Sequence, residues 1–419
     1  MADSFSKIAN IVPQKGLLVF IFISLLIFQL IYSFLFPSVG FNDSWLPINS
    51  YIEKFSPETA DNLILNTVYP FISTEYRLNS DVGEYLELAQ DFSSSNFYNR
   101  PYLNRPLYSL LINLSSNLVK PFTTPSYGIL FGLAILINLA LIILTVLMFF
   151  YLLEKIFSFK VAFFSSILLI FSPLVHSFIN QPIVEMLTAF AVMISLYLLH
   201  NYLIRPTPLK LIAFSMLVGI LLLGKAFFAI PLFVLLLAVY FKRYREGIVF
   251  LVMVSVPYIC WYLWVTKIWQ IPYYVLEIQD WHMGIWLKNI FYWPRDKTFR
   301  IFISAIPNFI KALIYAFLAL PLVFSVVGFG KLRRKAKIIS YCGLAAIFSL
   351  AFLINLYLYR HAFMSFPIIY PTAILGIERT ANWLKKYNRR YYFLFYLTII
   401  SIIIIISNIN IYRFFSYIN

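Results

Sequence analysis

The stretch from Ser80 to Tyr108 carries the residues best suited to chemistry in this sequence. It is polar and acidic within a chain that is otherwise mostly apolar, so water and charge can meet there. Asp81, Glu84 and Tyr85 have the i, i+3, i+4 spacing of one helical face. Leu88 continues that face at i+7. The face holds two carboxylates and a phenol, and we predict that it forms the wall of an active site at the outer surface of a membrane.

The composition is that of an integral membrane protein. Hydrophobic residues make up 61% of the 419 residues and charged residues only 12%, which is too little polar surface to cover a soluble globule of this size. The formal net charge of +16 does not indicate nucleic-acid binding, because the basic residues lie in short clusters between apolar runs. We therefore expect membrane lipids, and no nucleic acid, as partners. The 19% aromatic content is typical of interfacial belts and would also suit a site that stacks against sugar rings.

The apolar runs predict the architecture. A hydrocarbon core about 30 Å thick needs about 20 apolar residues per helix, and counting such runs gives roughly eleven spans. We expect an all-α fold, a single integral membrane domain over 1–419 with amphipathic surface helices in its first external loop. Gly224 and Lys225 interrupt one long run, which we split into a hairpin. The predicted spans are 16–36, 128–152, 161–179, 182–200, 209–224, 226–241, 247–266, 303–329, 338–358, 362–377 and 391–412.

The Lys and Arg clusters set the predicted orientation. They fall in alternate loops, which the positive-inside rule assigns to the cytoplasm. Two long loops, 37–127 and 267–302, then face outward. The first contains nine of the 17 acidic residues and five bases, a charge reversal that agrees with an external position. Its length and pattern predict helices lying on the membrane surface, at 81–92 and at Pro106–Val119.

Ionisable residues at helix ends on the predicted outer side extend the site, because such groups are expensive near lipid. Glu185 opens the fourth span, and Lys225 lies at the tip of the hairpin. Arg360 and His361 lie where the ninth span meets the tenth. Together with the acidic face of the first loop they would place acids and cations at one membrane level. Such an arrangement suits the binding of a phosphate and the activation of a nearby hydroxyl.

Simpler explanations stay open for each of these residues. A single Lys or Arg at a helix end is usually a snorkelling anchor whose charged head reaches the membrane surface. Glu185 could cap its helix, since an acid in the first turn favours the helix dipole. A lone histidine such as His361 is more often an interfacial residue than a catalytic one.

The sequence resembles GT-C glycosyltransferases, in particular the branch that includes protein O-mannosyltransferases and bacterial aminoarabinose transferases. The matching elements, in chain order, are Asp81, Glu84-Tyr85 and Ala89 (D-E/S-x-x-Y-x-x-x-A), Arg105-Pro106-Leu107-Tyr108 (P-P-L-Y type), Glu185 opening a span, Gly224-Lys225-Ala226 (T-K-G-like), and Arg360 with Pro367 to Pro371. Two positions depart from the pattern. Val82 stands where the mannosyltransferases have the second acid of an Asp-Glu pair. Asn104 stands where the aminoarabinose transferases have a lysine before two prolines, and Arg105 is next to it.

The resemblance implies an inverting transfer of a sugar from a polyprenyl-phosphate donor to an acceptor hydroxyl, on a lipid, a glycan or a protein. The active site would face outward from a bacterial inner membrane. Asp81 would be the general base. Glu84 and Glu185 would orient the acceptor or hold a divalent metal ion, and the resemblance implies no other cofactor. The implied donor phosphate-binding residues are Arg105, Lys225, Arg360 and His361, and the implied substrate-binding residues are Tyr85 and Tyr108.

Two other classes of membrane protein remain open. An O-antigen polymerase or ligase-like transferase also has many spans and an external site, but such proteins usually place their chemistry in a large late loop. A multi-span transporter would place ionisable residues near the bilayer midplane, and often shows two related halves. In this chain the charged residues fall at one predicted face, without an internal repeat.

Overall fold

The computed structural model describes residues 15–35, 45–47, 77–79, 81–93, 106–122, 124, 126–225, 227–271, 295–353, 359–384 and 389–408. These residues are almost entirely helical, as the sequence predicts. A short antiparallel ribbon pairs β1 (Trp45–Pro47) with β2 (Arg77–Asn79), and Trp45 lies opposite Asn79.

The helices among these residues are α1 (Lys15–Leu35), α2 (Asp81–Gln90), α3 (Pro106–Val119), α4 (Tyr127–Ile156), α5 (Phe159–Ile170), α6 (Pro173–Phe178), α7 (Glu185–Ile204), α8 (Pro208–Leu222), α9 (Ala229–Tyr240), α10 (Tyr244–Leu263), α11 (Arg295–Phe317), α12 (Ala319–Phe329), α13 (Arg334–Leu353), α14 (Tyr359–Ala362), α15 (Phe366–Leu384) and α16 (Arg389–Asn408). A π-helical turn, Trp264–Ile268, extends α10, and a 3₁₀ turn, Phe363–Ser365, joins α14 to α15.

The described residues include six helical segments long and apolar enough to cross a membrane. They are Gly16–Leu35, Tyr127–Ile156, Phe159–Phe178, Glu185–Ile204, Tyr244–Ile268 and Tyr391–Asn408. A seventh candidate is the pair Phe309–Phe317 and Ala319–Phe329. The chain is thus a polytopic membrane protein, whereas the predicted eleven spans are not confirmed.

Two features explain part of the difference between the eleven predicted spans and the smaller number of long apolar helices. The predicted span 303–329 is bent by 105° between α11 and α12, where Leu318 adopts a positive φ of 65°. The 15 residues of α8 reach about 22 Å, short of a hydrocarbon core about 30 Å thick. The length of an apolar run indicates burial in lipid or in protein. It does not indicate where a helix bends or how short it is.

Helices are found at the positions predicted for the hairpin and for the surface helices. Helix α8 ends at Leu222 and α9 begins at Ala229, so the run does break around Lys225. Helices α2 and α3 occupy the two predicted positions in the first long loop. The rest of the loop at 37–127, and most of that at 267–302, lies outside the described residues. The membrane side that these loops face stays a prediction.

A close helix crossing holds α15, the helix that follows Arg360. An added Cβ at Gly328 in α12 would overlap the carbonyl oxygen of Thr372, and one at Gly376 would overlap that of Phe324. Small residues of this kind let two membrane helices approach backbone to backbone. The hydroxyls of Ser325 and Thr372 lie 2.6 Å apart at the same crossing. The middle of α15 is therefore held closely against α12.

Candidate functional site

Three charged residues from distant parts of the chain meet at one oxygen atom. The Nζ of Lys225 lies 2.9 Å from Oε1 of Glu185, and Nη1 of Arg360 lies 3.2 Å from the same atom. The Glu185 side chain is 1% exposed, that of Lys225 9%, and that of Arg360 24%. We call these three residues the ionic cluster.

Local structure explains why Glu185 lies where it does. It is the first residue of α7, and Val184 before it supplies no side-chain cap. A carboxylate in the first helical turn interacts favourably with the helix dipole. The capping role considered from the sequence is therefore compatible with the ion pairs, because one carboxylate can serve both.

A tight turn carries Lys225 towards α7. The backbone N–H of Phe227 donates to the carbonyl oxygen of Lys225 over 2.6 Å, which closes the turn between α8 and α9. Gly224 allows the close approach, since an added Cβ would run into the side chain of Leu187 in α7. Lys225 is buried and ion-paired, so it is not a snorkelling anchor.

The short helix α14 supplies the second cation. Arg360 reaches Glu185 across 175 positions of sequence. His361 is buried next to it, and its ring lies parallel to that of Phe227 with 6.5 Å between ring centroids. His361 therefore lies beside the ionic cluster and packs against the turn that carries Lys225.

The ionic cluster combines an excess of cations with a carboxylate oxygen that is unpaired among the described residues. One carboxylate faces two cations, so the formal charge of the three side chains sums to +1. Within the part of the chain that the structure describes, Oε2 of Glu185 has no hydrogen-bond partner, although it is buried. A buried carboxylate oxygen is costly to leave unpaired, so this atom is suited to accept from a ligand hydroxyl.

Helix α3 braces both turns that carry the cluster. The buried Tyr108 hydroxyl donates to Oδ1 of Asn138 over 2.9 Å, and Nδ2 of Asn138 donates to the carbonyl oxygen of Gln181. Gln181 lies four residues before Glu185. The N–H of Leu107 donates to the carbonyl oxygen of Leu223 over 3.2 Å, two residues before Lys225.

The surroundings of Tyr108 keep its phenol protonated. Burial raises the pKa of the hydroxyl well above its usual range, and the nearby Tyr85 and Glu185 raise it further, against a lowering effect of the Asn138 hydrogen bond. A neutral phenol can donate, which its bond to Asn138 requires.

Helix α2, which carries the predicted acidic face, packs directly on α3. The rings of Tyr85 and Tyr108 meet edge to face with 5.3 Å between centroids. The Ser109 hydroxyl donates to the carbonyl oxygen of Tyr85 over 3.0 Å. On the far side, Leu88 packs with Val265 and Ile271 near the end of α10. Helix α2 is thereby held on α3, the helix that braces the turns of the ionic cluster.

The structure thus brings together the predicted Glu185, Lys225 and Arg360, with His361 adjacent. Tyr85 in α2 and Tyr108 in α3 pack against each other, and both are fully buried. Asp81 and Glu84 belong to α2, but their side chains lie outside the described part of the structure, as does the whole of Arg105.

Sequence reasoning missed Asn138 and Gln181. Asn138 is a lone amide inside the apolar helix α4, and a polar residue in a span is a signal that could have singled it out. Gln181 takes part through its backbone carbonyl, so its residue type carries no signal.

No metal centre is evident among the described residues, where His, Cys, Asp and Glu side chains do not gather in groups of three or more. The divalent ion considered for Glu84 and Glu185 stays a prediction. In comparisons with known proteins, no family model matches the chain and no curated protein matches its sequence. The function is therefore inferred from the residues and their geometry.

Proposed function

We propose that the chain is an inverting membrane glycosyltransferase of the GT-C type. It moves a sugar from a polyprenyl-phosphate donor to an acceptor hydroxyl on the outer side of the membrane. The observation that carries the proposal is the convergence of Lys225 and Arg360 on the buried Glu185, beside the helices α2 and α3 of the acidic loop.

The charge of the cluster suits the donor. A sugar–phosphate–lipid diester bears one negative charge, and Lys225 and Arg360 place two cations at one point of the site. When the bond to the sugar breaks, the phosphate gains a second charge, and cations held in place stabilise that developing charge. Arginine adds a planar fork that matches two phosphate oxygens, and lysine adds a compact point charge.

Asp81 is the proposed general base. Its carboxylate takes the proton of the acceptor hydroxyl while that oxygen forms a bond to the anomeric carbon of the sugar. The bond from this carbon to the phosphate oxygen breaks, and its electron pair stays on the phosphate. Attack opposite the leaving group inverts the configuration. Asp81 is the first residue of α2, which packs on α3 through the rings of Tyr85 and Tyr108, and that position supports this role.

Glu185 has two functions in this proposal. Its Oε1 holds Lys225 and Arg360 in position for the phosphate, and its Oε2 accepts from a hydroxyl of the sugar or of the acceptor. Arg105 directly precedes the first turn of α3, which contacts the Lys225 turn at Leu223, and that position suits a third phosphate contact.

The test is an assay of membranes with a panel of radiolabelled polyprenyl-phosphate sugars, which records the fraction that acquires label. We expect one donor to label an acceptor. Asp81→Asn keeps the side-chain shape and removes the base, so turnover should fall at least about a hundredfold. Asp91→Asn, an exposed acid just beyond the end of the same helix, is the matched control and should behave like the parent. Transfer from none of the donors, or parent-like turnover of Asp81→Asn, would contradict the proposal.

A further inference from the structure

A separate cavity lies between α4, α7, α9, α13 and the start of α15. Its volume is about 220 Å³, and its wall is formed almost wholly by apolar side chains, among them Phe149, Val192, Phe233, Ile347 and Ile368. Apolar cavities of this kind stay dry and take up apolar molecules, and one of about 150 Å³ already holds benzene. We call it the apolar pocket.

The apolar pocket is open at one end and closed at the other. Ile156 and Leu203, near the C-terminal ends of α4 and α7, line it and are 47% and 38% exposed. Phe227 and Met364 line the opposite end and are 3% and 2% exposed. The mouth is therefore at the end of α7 away from Glu185, about 27 Å along that helix. The positive-inside rule assigns this end to the cytoplasm.

Basic residues surround the mouth. Lys155 precedes the lining residue Ile156, is exposed, and holds its Nζ 5.4 Å from the centre of the Tyr197 ring. His200, one helical turn after Tyr197, itself lines the pocket and is half-buried. Four more basic residues at this end lie within two positions of a lining residue, against one acid, Glu154. They are Arg205, Arg334, Lys335 and Lys337.

We propose that the apolar pocket binds one hydrocarbon chain of an anionic phospholipid from the cytoplasmic leaflet, with the phosphate headgroup at Lys155 and His200. A hydrocarbon chain matches the apolar wall, and a negative headgroup matches the basic mouth. Basic pockets between membrane helices on the cytoplasmic side are suited to anionic headgroups. This lipid site is separate from the proposed donor site, because the headgroup would lie at the opposite end of α7 from the ionic cluster.

The test uses the full chain in nanodiscs of phosphatidylcholine that contain phosphatidylglycerol with a diazirine on one acyl chain. After photolysis, mass spectrometry maps the labelled residues. We expect label on wall residues such as Val192 and Phe233. Lys155→Ala should lower this labelling about fivefold, the equivalent of about 1 kcal/mol per basic residue near the membrane surface.

A second pair of variants tests the pocket itself. Ser340 lines the pocket and is 9% exposed, so Ser340→Phe should fill it and abolish labelling of the wall. Tyr341→Trp adds bulk at a neighbouring position that is 59% exposed, and should change nothing. Label confined to exposed positions would overturn the proposal. So would equal labelling of the wall by a phosphatidylcholine probe, or parent-like labelling in both Lys155→Ala and Ser340→Phe.

Discussion

Replacing Glu185 by glutamine keeps the shape of the side chain and removes its charge, so Lys225 and Arg360 then face a neutral amide. At 2.9 Å and an effective dielectric constant of about 20, the attraction lost from Lys225 is about 6 kcal/mol, and at 3.2 Å that from Arg360 is about 5 kcal/mol. Desolvation offsets much of this, and breaking a buried pair usually costs about 3–5 kcal/mol. We expect Glu185→Gln to lower the free energy of unfolding by an amount in that range. Most of the loss should come from Lys225, which is the more buried cation.

A double-mutant cycle separates the ion pair from general damage. The free energy of unfolding is measured for the parent, Glu185→Gln, Lys225→Met and the double variant. Once the carboxylate is gone, removal of the Lys225 charge should relieve repulsion. The double variant should therefore cost about 1–3 kcal/mol less than the sum of the two singles. The calculation would be refuted if Glu185→Gln lowered the free energy of unfolding by less than about 1 kcal/mol. It would also be refuted if the effects of the two single variants simply added up in the double variant.

The same variant connects stability to the proposed ligand. A phosphate ester bound by Lys225 and Arg360 would restore the missing negative charge in Glu185→Gln. Farnesyl phosphate at about 100 times its Kd should then raise the stability of this variant by about 2.7 kcal/mol. Farnesol, which has the same chain and no phosphate, is the control. Equal stabilisation by the two compounds at the same concentration would show that the protein binds the farnesyl hydrocarbon and not the phosphate charge.

The remaining predictions concern the support of the site and the topology. Tyr108→Phe should cost about 1–3 kcal/mol of stability, because a buried amide oxygen loses its donor; a parent-like melting curve would contradict this. Gly376→Ala should cost about 1–3 kcal/mol by forcing α12 and α15 apart, whereas Gly16→Ala, with open space around it, should not. Cysteine labelling from outside should modify positions in 80–108 and spare 331–337, and the reverse pattern would invert the topology.

Much of the site could be predicted because the chain is so apolar. Ionisable residues such as Glu185 and Lys225 are conspicuous in such a sequence, and alternation of the helices assigns them to one end. In the structure, Lys225 and Arg360 both contact Glu185. The helices predicted at 81–92 and 106–119 were also predictable, the first from the spacing of its acidic residues and the second from the spacing of its leucines.

Other features depend on tertiary packing that no local pattern carries. The 105° bend at Leu318 follows from a backbone conformation that leucine rarely adopts, so its residue type gives no warning. Similarly, Gln29 in α1 donates to Oδ1 of Asn408 in α16 over 3.0 Å, and this pairing joins helices from the two ends of the described chain. Polar residues in spans can be noticed from sequence, but their partners cannot.

Binding of a polyprenyl-phosphate sugar to the purified protein tests the central claim most directly. Lys225→Ala and Arg360→Ala should each weaken donor binding about tenfold to 150-fold, the equivalent of about 1.5–3 kcal/mol for a hydrogen bond to a charged group. The double variant Glu185→Gln with Lys225→Met, which leaves no unpaired carboxylate, should be weakened to a similar extent. Lys210→Ala, an exposed lysine in the first turn of α8, is the control and should bind like the parent. Parent-like binding by all of these variants would place the donor phosphate elsewhere and contradict the account.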